Sequence, residues 1–129
     1  MNRPNLLSFL VTAFVMTGVL GLTTFAEETE DFLVEVTAVE YKFTPETIKV
    51  QPGQPVTIRF SNKGKFDHNW VLKLPGETVK FDRALEPEGL EKLYFTAPSQ
   101  PGRYPFICPV NDHHKRGMTG VLVVEKPGE

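Results

Sequence analysis

Short runs in which apolar and polar residues alternate recur along the chain, separated by proline and glycine. Val34, Val36 and Ala38 alternate with Glu35 and Thr37, a period of two that sends successive side chains to opposite faces of a strand. A bend at Phe43-Thr44-Pro45-Glu46 leads into a short strand over Thr47–Val50 and the turn Gln51-Pro52-Gly53-Gln54. Val56, Ile58 and Phe60 then share one face opposite Thr57 and Arg59, and turn residues 61–64 end the run. His68, Trp70 and Leu72 share a parity in the next predicted strand, so a core-facing Trp70 and Leu72 bring His68 inward with them. Over residues 75–89 the pattern weakens to a short strand at Val79 and Phe81 and a turn or single helical turn over 82–88. Leu93 and Phe95 alternate with Tyr94 and Thr96, and after a turn over 98–102 Tyr104, Phe106 and Cys108 share a face. Pro105 lacks a ladder donor, which predicts a strand near an edge or locally irregular there. Gly120, Leu122 and Val124 alternate with Val121 and Val123, an almost continuously apolar last strand expected to be buried on both faces.

Many short strands joined by turns, with 11 prolines and 10 glycines in 129 residues, predict an all-β fold of one domain. The first 26 residues stand apart. Arg3 precedes an uncharged apolar run, and Thr24-Phe25-Ala26 offers small residues for cleavage, the pattern of a signal peptide. The alternative is a retained membrane anchor, because about 20 apolar residues reach across a bilayer. The exported domain is then 27–129, periplasmic or otherwise outside the cytoplasm, or tethered to the membrane by an uncleaved segment. The whole chain carries a formal net charge of -2, and Arg3 is the only charge in residues 1–26, so the domain without them has 13 basic against 16 acidic residues. Bulk electrostatic binding to nucleic acid is therefore not expected.

In an oxidising compartment cysteines usually pair, so the single cysteine of this chain, Cys108, needs another explanation. Every cysteine and histidine falls in one of two segments, 66–72 and 104–124. Cys108, His113 and Met118 follow one another at intervals of five positions, between two apolar runs. A thiolate, an imidazole and a thioether on one loop form a soft-metal ligand set, and the inward His68 is the candidate for the missing ligand. Two histidines with one cysteine and a weak axial methionine are a compromise between the preferences of monovalent and divalent copper, which serves electron transfer. Adjacent His113 and His114 are both candidates for the loop histidine; His113 is the favoured reading. Met118 could instead be an ordinary core thioether, and His68 an ordinary hydrogen-bonded core histidine.

The segment His68-Asn69-Trp70-Val71-Leu72, the Cys-x4-His-x4-Met loop and the following Gly120-Val121-Leu122-Val123-Val124 resemble the small blue-copper proteins, the cupredoxins of the azurin, auracyanin and plastocyanin group. The resemblance implies a Greek-key β-sandwich, one type 1 copper ion, His68, Cys108 and His113 as strong ligands, and Met118 as the axial one. It also implies that the backbone N–H groups of Asn69 and Val110 donate toward the sulfur, and that the loop histidine shows its ring edge at the surface. The Cys-x4-His spacing to His113 is that of auracyanin-like loops. The chain departs from azurins at Asp67, where they carry glycine, and in the charged stretch Asp112-His113-His114-Lys115-Arg116.

These readings lead to an exported, monomeric electron carrier that passes single electrons between redox proteins, such as c-type cytochromes or oxidoreductases, and has no small-molecule substrate or enzymatic activity. Lys115 and Arg116 beside the loop histidine predict a partner with an acidic patch. The alternative is copper storage or delivery, for which methionine- and histidine-rich clusters are expected; beyond residue 26 the chain has Met118 alone. A Cys–His nucleophilic enzyme would need an acidic group to orient the histidine, and the motif shows none.

Overall fold

The computed structural model describes residues 30–128; the segment 1–26 read as a signal peptide lies outside the described residues. The alternating runs form nine strands: β1 (Phe32–Val39), β2 (Lys42–Thr44), β3 (Thr47–Val50), β4 (Pro55–Asn62), β5 (Val71–Leu74), β6 (Glu77–Lys80), β7 (Leu90–Thr96), β8 (Gly102–Ile107) and β9 (Thr119–Val124). They build two sheets, one ordered β2-β1-β4-β7 and the other β3-β9-β8-β5-β6. The inward faces supply the core, in which Val36, Ala38, Phe43, Ile58, Phe60, Trp70, Leu72, Phe106 and Leu122 have no exposed surface. Burying each large apolar side chain contributes about 1.5–3 kcal/mol, so this layer outweighs the exposed ion pairs at about 0–1 kcal/mol each. Among the described residues no helix is long and apolar enough to cross a membrane.

Several elements differ from the sequence reading. The segment expected to be only a bend at Phe43 and Thr44 contributes a short edge strand to the four-stranded sheet: β2 pairs antiparallel with β1, Ala38 opposite Phe43, through a tight connection at Glu40 and Tyr41. Phe43 is completely buried against Phe60 and Phe106, at ring-centroid distances of 6.3 and 5.5 Å, and that burial holds the short strand in place. The predicted strand over 68–72 begins regular pairing only at Val71; His68 makes one isolated bridge, to Leu85. His68, Trp70 and Leu72 nevertheless all face inward with no exposed surface.

Pro105 lies in β8, the middle strand of its sheet. The missing donor is tolerated because β5 pairs with β8 only at Phe106 and Ile107, which leaves Pro105 paired on the β9 side alone, opposite Val121. In β9, Leu122, Val123 and Val124 are buried, whereas Gly120 and Val121 are half-buried. Gly120 lets the sheet close over Phe106: a Cβ there would collide with the Phe106 ring and with the Glu46 carbonyl.

Candidate metal centre

Between β8 and β9 the chain makes a short 3₁₀ segment, Val110–Arg116, and this loop carries most of the proposed ligands. The inward parity of Phe106 and Cys108 leaves the thiol buried just past the strand end, with no exposed surface. Asn111 and Asp112 then take positive φ of 44° and 56°, a conformation that asparagine and aspartate tolerate better than most residues. These two residues reverse the chain so that His113 returns toward Cys108. Gly117, with φ 96°, ends the segment and sends Met118 into the core, fully buried. The loop closes on itself through backbone bonds. Cys108 N donates to the Met118 carbonyl at 3.1 Å, Met118 N to the His113 carbonyl at 3.2 Å, and His114 N to the Cys108 carbonyl at 3.0 Å.

His68 arrives from the other side of the site on the segment before β5. Its backbone N–H and carbonyl both bond to Leu85, at 3.0 and 2.8 Å. The fully buried Asn62 fixes the chain leading to it: its side-chain amide donates to the Phe66 carbonyl at 2.8 Å and the Leu85 carbonyl at 2.9 Å, and its side-chain oxygen accepts from Gly64 N at 2.9 Å.

The structure brings His68, Cys108 and His113 together, all buried, with one donor atom of each within 4.8 Å of the others. The two Nδ1 atoms are 3.2 Å apart, and Cys108 Sγ lies 3.8 Å from that of His68 and 3.6 Å from that of His113. These separations leave a point in the plane of the donors about 2.1 Å from each, the length of a metal bond to imidazole nitrogen and about 0.2 Å short of one to thiolate sulfur. A metal ion therefore fits with shifts of a few tenths of an ångström. His114 is outside this group; its Nδ1 is buried without a hydrogen-bond partner.

Burial pushes the Cys108 thiol up from its ordinary value, while the backbone N–H groups of Asn69 and Val110, which donate to the sulfur, pull it down. Those are the two donors the resemblance implies. Burial likewise pushes His68 below the usual imidazole range, opposed chiefly by Glu40. Both directions suit a cation site, because a neutral imidazole keeps a lone pair to offer and a cation favours the thiolate that burial alone disfavours.

His113 does not show the open ring edge expected of it. It is only 5 % exposed, with Tyr41 packed edge-on at a centroid distance of 5.3 Å and Phe66 at 6.4 Å. Arg116 reaches over Tyr41, its guanidinium 5.0 Å from the ring centroid and Nη1 donating to the phenol oxygen at 2.7 Å. The surface above the site is thus made by Tyr41, Phe66 and Arg116. The sequence reading assigned no site role to Tyr41, Phe66, Glu40 or Asn62. The signal that could have found them is the turn-rich stretch 61–66 immediately before His68, with the tight connection at Glu40 and Tyr41.

The cupredoxin-like domain model matches residues 9–124, nearly the whole chain. The chain belongs to the cupredoxin-like family. Its fold is similar to auracyanin from Roseiflexus castenholzii, with 25 % identity and a TM-score of 0.64 over 72 % of this chain and 96 % of that one. It is equally similar to auracyanin A of Chloroflexus aurantiacus, a blue copper protein, with 25 % identity and a TM-score of 0.64 over 74 % of this chain and all of that one. A multicopper oxidase shares the cupredoxin-like fold at 20 % identity and a TM-score of 0.63, but the match covers only 40 % of that longer chain. Comparison with curated protein sequences gives no match.

Proposed function

We propose that this cupredoxin is an exported blue-copper electron carrier, with one type 1 copper ion held by His68, Cys108 and His113 and by Met118 in the axial position. The observation that carries this reading is the buried triangle of one sulfur and two Nδ1 atoms around a point at metal-bonding distance from all three. Similarity to auracyanins over nearly their whole length supports a single-domain carrier, whereas the oxidases extend well beyond the shared domain.

A copper ion bound by His68, Cys108, His113 and Met118 would supply a one-electron redox centre. The chain's own residues make electron exchange easy by staying still. The loop's backbone bonds fix Cys108, His113 and Met118 relative to one another, and Asn62 and Leu85 fix the segment bearing His68, so little rearrangement accompanies a change of charge. Asn69 and Val110 N–H groups steady the charge on sulfur. Tyr41 and Phe66 cover His113 against water. The partners are redox proteins, c-type cytochromes or oxidoreductases, and their contact surface lies over Phe66, Tyr41 and the exposed Lys115 and Arg116.

The copper-loaded, oxidised protein should show an intense blue or green thiolate-to-copper absorption band. Cys108→Ser should abolish it, since a hydroxyl cannot replace the soft sulfur. A colourless parent protein, or a band that survives in the serine variant, rules out this site.

A further inference from the structure

His68 turns Nδ1 toward Cys108 and His113, and its other ring nitrogen faces Glu40, with Nε2 and Oε1 3.4 Å apart. A ring that offers the Nδ1 lone pair to a cation must carry its proton on Nε2, so this contact is an N–H directed at a carboxylate. The distance is long for a hydrogen bond, yet the carboxylate cannot readily drift away. The same Oε1 accepts from Lys65 N at 2.5 Å and Phe66 N at 3.1 Å, and these bonds anchor it at the tip of the β1–β2 connection.

Room for this contact is made by Gly64. A Cβ at residue 64 would stand 2.8 Å from His68 Nε2 and would overlap Glu40 Oε1 more severely. Gly64 is buried and its φ is not in the left-handed region, so close approach rather than backbone conformation restricts the position to glycine. Glu40, distant in sequence, thus meets Gly64 and His68 in one polar contact behind the metal ligand.

We infer that Glu40 is a positioning residue for the metal centre: its carboxylate takes the Nε2–H of His68, fixes the ring in the tautomer that presents Nδ1, and favours the oxidised state of the bound metal. The inference rests on the copper-carrier reading above and adds a residue outside its ligand set. The physical ground is that a negative charge hydrogen-bonded behind an imidazole raises the basicity of the ligating nitrogen, and the gain is larger for the divalent ion than for the monovalent one. Among the described residues Glu40 is the acidic side chain that contacts the His68 ring.

The test compares the full-length chain with Glu40→Gln, which keeps an oxygen for the Lys65 and Phe66 N–H groups while removing the charge, and with Gly64→Ala, which leaves the charge in the sequence but forces it away from His68. In the copper-loaded proteins, Glu40→Gln should keep the thiolate-to-copper band and lower the copper(II)-to-copper(I) affinity ratio about tenfold, a rise in reduction potential of about 59 mV for one electron. Gly64→Ala should move the potential the same way. In the copper-free proteins, nitrogen NMR of the imidazole rings should find His68 as the Nε2–H tautomer in the parent and a mixture of tautomers in Glu40→Gln. A parent band with potentials unchanged in both variants overturns the role of Glu40 and leaves the carrier reading standing. A parent without the band overturns the carrier reading, and the NMR comparison then still decides whether Glu40 sets the tautomer. Identical tautomer populations in parent and variant overturn that part as well.

Discussion

His113 and His114 are neighbours with identical side chains, and their environments separate them. His113 is buried with its Nδ1 facing sulfur and the second imidazole, whereas His114 is half-buried, outside the donor cluster, and contributes its backbone N–H to the loop closure. His113→Gly should therefore open a gap that added imidazole refills, restoring the copper band, while His114→Gly should leave the spectrum nearly unchanged because the backbone bond survives. Absorption spectra with and without imidazole distinguish the two, and the reverse pattern would move the ligand to His114. Much of this site was legible in the sequence, because a lone cysteine and the spacing of Cys108, His113 and Met118 are local signals. The supports were not. Glu40 and Asn62 look like an ordinary surface acid and a turn residue, and only the fold carries them to His68.

At the scale of elements, strand parity succeeded where one face is buried and the other wet, as in β1 and, apart from the buried Thr57, in β4. It was weaker where pairing, not burial, defines the strand. His68, Asn69 and Trp70 carry a strand-like pattern but lie outside the ladder, since His68 bonds across to Leu85 instead. The three residues of β2 were too few to show a period, and their strand state depends on pairing with β1 and on the buried Phe43 ring. Pro105 illustrates the same limit: its missing donor signals an absent ladder partner, and the sequence cannot say that the pairing of β5 with β8 ends at Leu72 and Phe106, one residue short of it. The contact between β9 and β8 gives a test of packing. Gly120→Ala places a methyl against the Phe106 ring and the Glu46 carbonyl, and should destabilise the protein by about 1–3 kcal/mol, the usual range for overpacking. Urea unfolding of the copper-free chain measures it, and an unchanged midpoint would mean that Phe106 has an alternative rotamer available. Because Phe106 leads directly into Cys108, the variant should also broaden the copper band.

For the molecule as a whole, charge and contact point in different directions. Without residues 1–26 the chain has three more acidic than basic residues, yet Lys115 and Arg116 lie on the loop that carries His113. Lys115 is paired with Asp112 at 3.0 Å, and Arg116 lies over Tyr41, so Arg116 is the less compensated charge. Charges beyond a Debye length of about 8 Å at physiological salt count little at contact, which favours an acidic partner patch over repulsion by the distant acids. Stopped-flow electron transfer to exported cytochromes should show a rate that falls as salt rises, and a Lys115→Glu, Arg116→Glu double variant should be slower at low salt. A rate indifferent to both would leave an uncharged contact through Phe66 as the docking mode.

Phe66 has a double attachment. Its half-exposed ring rests against His113, while its carbonyl is held by Asn62 and its N–H by Glu40, two positions before His68. A protein that presses on this ring therefore bears on the outer histidine directly and on the inner one through two peptide units. Outer surface and inner ligand are thus joined through one short stretch of backbone, pinned by Asn62 on one side and Glu40 on the other.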